Sequence, residues 1–149
     1  MAEGFADPAV VGGRLGTDWW VDPEPGRLMT IPLTGTAPGP LPVGHRQRTW
    51  SAGGVARTMI VAPDGSLAAR GQIAPTGATA VVDLVETAPA HRRRGFGTLV
   101  LHTLPHTAHA QGAHTAILNA TPEGRALYAS LGRRAQAPET SARFTAAAR

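Results

Sequence analysis

The 149 residues are enough for one domain with a real buried core, and a hydrophobic content of 42% excludes a disordered chain. The absence of Cys excludes disulfides and thiolate metal sites and permits a reducing, cytoplasmic setting. No apolar run approaches the ~20 residues of a membrane span, no basic segment followed by an apolar one suggests a signal peptide, and the net charge of +4 suits an anionic ligand or nucleic acid.

Residues 1–55 show little periodicity. Leu28–Leu33 reads as a strand, the Trp19-Trp20 pair stands before it, and the Pro/Gly-rich stretch 35–44 reads as a loop. No helix is expected here. From residue 56 the pattern sharpens. Ala56–Ala62 and Leu67–Ala74 are strand-like and flank the turn Pro63-Asp64-Gly65; Pro75-Thr76-Gly77 then leads into the Val-rich strand Ala78–Thr87. Alternation along that strand predicts Val82 and Leu84 in the core with Glu86 facing inward, and Val81, Asp83, Val85 and Thr87 on the other side. A helix is expected from about Phe96 to Gln111, stopped by Gly112 and disturbed by Pro105. Ala113–Asn119 reads as a short buried strand. Thr121-Pro122-Glu123 starts a second helix, which should stop at Gly132 beside Arg133 and Arg134. The tail offers two short strands, Arg134–Ala137 and Ala142–Ala146. The order β-β-β-α-β-α-β predicts an α+β fold with a mixed sheet: antiparallel hairpins, a crossover helix, a strand, a helix and C-terminal strands.

Arg92-x-x-Gly95-x-Gly97 stands between a strand and a helix. Glycines allow a tight turn and close backbone approach. The first helical N–H groups have no internal partner and bind phosphate, and Arg92, Arg93 and Arg94 add forked cationic donors. The segment reads as a pyrophosphate cradle.

Together with the following helix and strand and with Ala126-Leu127-Tyr128-x-x-Leu131-Gly132, this motif makes residues 80–134 resemble the C-terminal half of the GNAT N-acetyltransferase superfamily. The resemblance implies one acyltransferase domain over 1–149, with 56–149 as the acyl-CoA-binding core and 1–55 as an atypical N-terminal segment. It implies acetyl-CoA as co-substrate, no metal, and transfer to a primary amine of a small molecule or peptide by direct attack. It assigns the pyrophosphate to Arg92, Arg93, Arg94, Gly95, Phe96, Gly97 and Thr98. The pantetheine arm falls to Val85 and Thr87, with further cofactor contacts at Asn119, Thr121 and Tyr128. Tyr128 is implied as general acid. Asp83 and Glu86 are the candidate bases, Glu86 only if a bulge turns it outward. Family members commonly carry two helices after their first strand, where substrates dock, and Asn where Thr121 stands.

Other features have plainer readings. His102, His106 and His109 form a stripe opposite the apolar face of their helix and read as solvated, not as a metal site. Gly124, one turn before Tyr128, invites close approach of a cofactor. Trp19, Trp20 and Trp50 either pack or wall an acceptor pocket. Open sheet edges favour a homodimer. A CoA-binding module without catalysis is the alternative function. A nucleic-acid binder is the weaker one, because no known motif accompanies the Arg run and Lys is absent.

Overall fold

Glycine, proline and aspartate decide where the elements begin and end. The computed structural model describes residues 2–122, 124–130 and 134–145, with side chains described for 4–122, 124–130 and 137–145. The elements are β1 (Ala2–Gly4), α1 (Pro8–Leu15), β2 (Trp19–Val21), β3 (Gly26–Pro32), β4 (Arg46–Ala52), β5 (Val55–Val61), β6 (Leu67–Thr76), β7 (Thr79–Thr87), α2 (Phe96–Ala110), β8 (Thr115–Ala120), α3 (Arg125–Ser130) and β9 (Arg134–Phe144). The chain forms two units, Met1–Thr30 with Asn119–Arg149, and Ile31–Leu118. The fold class is α+β with mixed strand pairing, as expected.

In the unit Ile31–Leu118, β4, β5, β6 and β7 form an antiparallel meander of four strands rather than the expected three. Gly53 (φ 59°) and Gly54 (φ 75°) close the β4–β5 hairpin, the two left-handed residues that a type I′ turn needs. β4 was not expected because Arg46-Gln47-Arg48-Thr49-Trp50-Ser51-Ala52 is polar on both faces, as suits an edge strand. After β7 the chain crosses through α2 and returns as β8, parallel to β7 over Thr79–Val82 and Thr115–Leu118. Ile60, Ile73, Val82, Phe96, Val100, Leu101, Leu104 and Ala108 form the core between sheet and helix. Burying a side chain of this size contributes about 1.5–3 kcal/mol each. Pro105 lies within α2, which continues through it to Ala110.

The helix rests on bare backbone at Gly71 of β6. A Cβ there would meet Val100 Cγ1 at 2.7 Å, Leu104 Cδ1 at 3.0 Å and Val85 Cγ2 at 3.3 Å. Opposite Gly71 the ladder slips: Arg70 pairs with Glu86, but Gln72 pairs with Asp83. The extra residue makes a bulge with Leu84 at φ 51°. The bulge reverses the expected alternation beyond it. Leu84, expected in the core, is 61% exposed. Val85, expected outside, lies against the Gly71 backbone. Glu86, expected inside, is exposed.

In the other unit, β9 pairs antiparallel with β1, β2 and β3. The two tail strands expected from sequence are one continuous strand. Residues 1–55 also contain a helix, contrary to expectation. Asp7 caps α1 by accepting from the Ala9 amide at 3.0 Å, and Pro8 opens it. Gly12 and Gly13 lie inside it and obscured its pattern. The expected helix start at Glu123 and end at Leu131, Gly132 and Arg133 lie outside the described residues.

Gly71→Ala should lower unfolding stability in urea by about 1–3 kcal/mol, since the added methyl overfills the seam. Gly13→Ala, with open space around its Cα, should stabilise by up to ~1 kcal/mol. Equal effects would show that α2 does not rest on Gly71.

Candidate active site

The cradle takes its shape from two left-handed residues. Arg93 (φ 62°) and Gly95 (φ 83°) flank Arg94, and Gly95 caps α2. Such alternation turns successive amides to one side and makes an anion-binding concavity. The amides of Phe96, Gly97 and Thr98 open the helix, and Leu99 is the first to bond back, to the Gly95 carbonyl at 3.1 Å. No acidic residue stands in the first turn. Arg92, Arg93, Arg94 and Gly95 are exposed, while Gly97 and Thr98 are half-buried. Phe96 is 2% exposed, its ring packed against His45 and His91. The Arg92 Nε–H donates to the Thr87 carbonyl at 3.3 Å, which ties the loop to the end of β7.

A chain of donors braces the same loop. Arg94 Nη1 lies 3.4 Å from His91 Nδ1, and a guanidinium only donates, so Nδ1 accepts. In the neutral ring the Nε2–H then donates to Ser66 Oγ at 3.0 Å, and Ser66 donates to Asp64 Oδ1 at 2.6 Å. The Ser66 hydroxyl, then its amide, hold the Asp64 carboxyl below its ordinary range. His45 stacks on Phe96 at 4.9 Å and His91 meets it edge-on at 6.1 Å. His91 is therefore a packed, hydrogen-bonded residue.

On the sheet face opposite α2, strand register sets out two rows. Trp50, Arg57, Gln72 and Asp83 form one; Arg48, Met59, Arg70 and Glu86 form the other. Cations occupy the β4–β6 side and carboxylates the β7 side. Asp83 Oδ1 accepts from the Leu84 amide at 2.7 Å, and Oδ2 accepts from Gln72 Nε2 at 3.4 Å. Glu86 pairs with Arg70 at 2.8 Å, both side chains about half exposed (54% and 56%). Pairs this exposed contribute about 0–1 kcal/mol. Between the rows lies a cavity of about 190 Å³, lined by Trp50, Arg57, Thr58, Met59, Arg70, Gly71, Gln72 and Leu84. Apart from Trp50, sequence reasoning missed this wall. The alternation of Arg57 and Met59 with Ala56, Thr58 and Ile60 was the available signal.

The pairing of β7 with β8 ends at Val82 and Leu118. Val85 and Thr87 lie beyond that point, with Thr87 paired to Ala69 on β6.

In the other unit, the Asn119 side chain overlies Gly26, where a Cβ would collide with its amide group. Thr121 Oγ1 accepts from the Gly124 amide at 3.2 Å and caps the turn into α3. Tyr128 is half-buried. Its own ring accounts for Gly124: a Cβ there would meet Tyr128 Cε2 at 3.0 Å. Trp19 packs edge-on against Phe144 at 5.4 Å, and Arg143 covers the Trp20 ring at 5.3 Å. The histidine stripe is only partly solvated. His102 is exposed, but His106 Nδ1 lies 3.0 Å from the Gly35 carbonyl, and His109 packs against Gly35. Among the described residues no cluster of three or more metal-ligating side chains occurs, and no helix is long and apolar enough to cross a membrane.

No curated protein matches the sequence. Solved structures share the fold at low identity. A GCN5-related N-acetyltransferase from Kribbella flavida superposes with TM-score 0.63 at 16% identity, over 88% of this chain and 61% of that one. A tandem GNAT protein from the clavulanic acid biosynthesis pathway gives 0.66 at 15%, over 85% and 55%. A GCN5-related N-acetyltransferase from Sphaerobacter thermophilus gives 0.62 at 14%, over 80% and 52%. The chain thus spans between half and two thirds of those proteins' lengths. The family model for the acetyltransferase (GNAT) family matches residues 17–132, most of the sequence, and the chain belongs to that family.

Proposed function

We propose that this protein transfers an acetyl group from acetyl-CoA to a primary amine. The observation that supports this most is the anion cradle: left-handed Arg93 and Gly95, three exposed guanidiniums, and a helix N-terminus without acidic residues. These residues fit a pyrophosphate. Arg92, Arg93, Arg94 and the amides of Phe96, Gly97 and Thr98 would hold it, and the β7 backbone at Val85 and Thr87 would meet the pantetheine arm. When bound, acetyl-CoA supplies the activated acetyl group. Asp83 or Glu86 takes the proton that the amine loses, and both stand on one face because of the bulge. A β7 amide near Val85 or Thr87 would donate to the acyl carbonyl oxygen. Tyr128, on family resemblance, would supply a proton at the thioester sulfur. Asn119 and Thr121 keep their assignment as cofactor contacts on the same basis.

One observation favours a second reading, CoA binding without turnover. β4 and β5 are joined by two glycines, so no helix stands between these strands to dock an acceptor.

Calorimetry should show acetyl-CoA binding to the wild type and none to Gly97→Asp. Asp in a first helical turn favours the helix dipole, so this variant should keep its melting temperature while repelling the diphosphate. No binding to the wild type would overturn the acyl-CoA reading. Tyr128→Phe should lower kcat by about 10²-fold, the lower end for general-acid catalysis, with acetyl-CoA affinity unchanged. An unchanged kcat with chemistry rate-limiting would remove Tyr128 from the mechanism. Full CoA binding with no turnover on any amine would favour the second reading.

A further inference from the structure

We propose that the cavity on the open sheet face selects a zwitterionic acceptor, an amino acid with an apolar side chain, by its carboxylate at Arg57 and its amine toward Asp83 and Glu86. This deepens the acyl-transfer reading and rests on it for the fate of the amine, though not for the binding itself.

Trp50, Arg57, Gln72 and Asp83 stand side by side on four adjacent strands. Adjacent strands lie about 4.8 Å apart, so the Arg57 and Asp83 backbones are separated by about 10 Å. That distance is spanned by a small molecule together with the two side chains that reach for it. The charges are sorted by strand. The cavity wall contains two guanidiniums, Arg57 and Arg70, and the Gln72 amide, and it contains no carboxylate. Asp83 and Glu86 stand on β7 at its border. A ligand complementary to this order is negative toward β5 and positive toward β7.

The guanidiniums differ in availability. Arg70 already shares a carboxylate with Glu86. Among the described residues Arg57 has no ion-pair partner, and its Nη1–H donates to the Ala52 carbonyl only at 3.4 Å. A carboxylate is the group that a planar forked donor in this state recognises best. The rest of the wall is Thr58, Gly71 and three larger apolar groups: the Trp50 ring, Met59 and the exposed Leu84. Leu84 is held at φ 51°, a conformation that costs energy outside glycine and that clusters at ligand clamps. Charge also excludes. A polyamine would place a second cation beside Arg57.

The test uses the full chain, with CoA present and absent. L-phenylalanine, L-phenylalaninamide and spermidine are titrated while the Trp50 indole N–H is followed by NMR in labelled protein. L-phenylalanine should shift that signal and saturate. The amide, lacking the carboxylate, should bind at least about tenfold more weakly, the loss expected for one charge-assisted hydrogen bond. Spermidine should leave the signal in place. Arg57→Gln should bring L-phenylalanine down to the amide's affinity while leaving the amide unchanged, and an unaltered melting temperature shows that the fold is intact. Leu84→Ala, outside the charged rows, should weaken acid and amide alike. Equal binding of acid and amide, insensitivity to Arg57→Gln, or no binding of the amino acid would each overturn the proposal. Acetyl-CoA calorimetry on the same preparation separates the two readings: CoA bound without amino acid overturns this one alone, and amino acid bound without CoA overturns the transfer reading alone.

Discussion

The unit Ile31–Leu118 depends on one missing side chain. Gly71 lets Val100 and Leu104 descend onto the β6 backbone, and this contact sets the height of α2 above the sheet. Facing the same glycine, β7 accommodates an additional residue, and Val85 turns inward to fill the seam beside Val100. Helix seat and bulge are therefore two sides of one packing solution. The helix start at Gly95 lies eight residues beyond the end of β7, and the Arg92 side chain spans that interval by bonding to the Thr87 carbonyl. The anion cradle is thereby tied to the strand that carries both candidate bases.

Electrostatics refine what packing has placed. Three guanidiniums in a row repel one another, and Arg94 is drawn aside by His91, which passes its own N–H to Ser66 and so to Asp64. The carboxylate at the far end lies in the β5–β6 turn, so a hairpin tip helps to orient the loop at a helix start. On the opposite sheet face, sorting of charge by strand does comparable work. Arg70 and Glu86 neutralise each other across β6 and β7, while Asp83 is held by the neighbouring amide and by Gln72.

Local chemistry made the second half of the chain legible. Pro63-Asp64-Gly65, the Arg92–Gly97 motif and Gly112 each marked a turn, and the turn into α2 was readable because its residues are contiguous; the Val-rich β7 was readable as a strand, but its bulge left no mark in the alternation. The misses have physical causes. The α1 helix carried a sound start signal, Asp7-Pro8, but its two interior glycines erased the periodicity. β4 is polar on both faces, and only the Gly53-Gly54 turn announced it. The cavity wall is assembled from four strands, so its members are far apart in sequence and meet only through register. The histidine stripe failed on a long-range contact: Gly35 lies in a loop some seventy residues away, and no helical wheel includes it.

The bulge at Leu84 means that β7 is written in two reading frames. Up to Val82 the even-numbered positions face the core; from Val85 the odd-numbered ones do. A rule for tolerated substitutions learned on one half of this strand therefore inverts on the other. Removing one residue at the junction would merge the frames, turning Glu86 toward α2 and withdrawing Val85 from the seam. A single inserted residue thus works as punctuation: it lets one short strand present a core-facing surface and then, without any change of direction, offer two carboxylates to solvent on the same side.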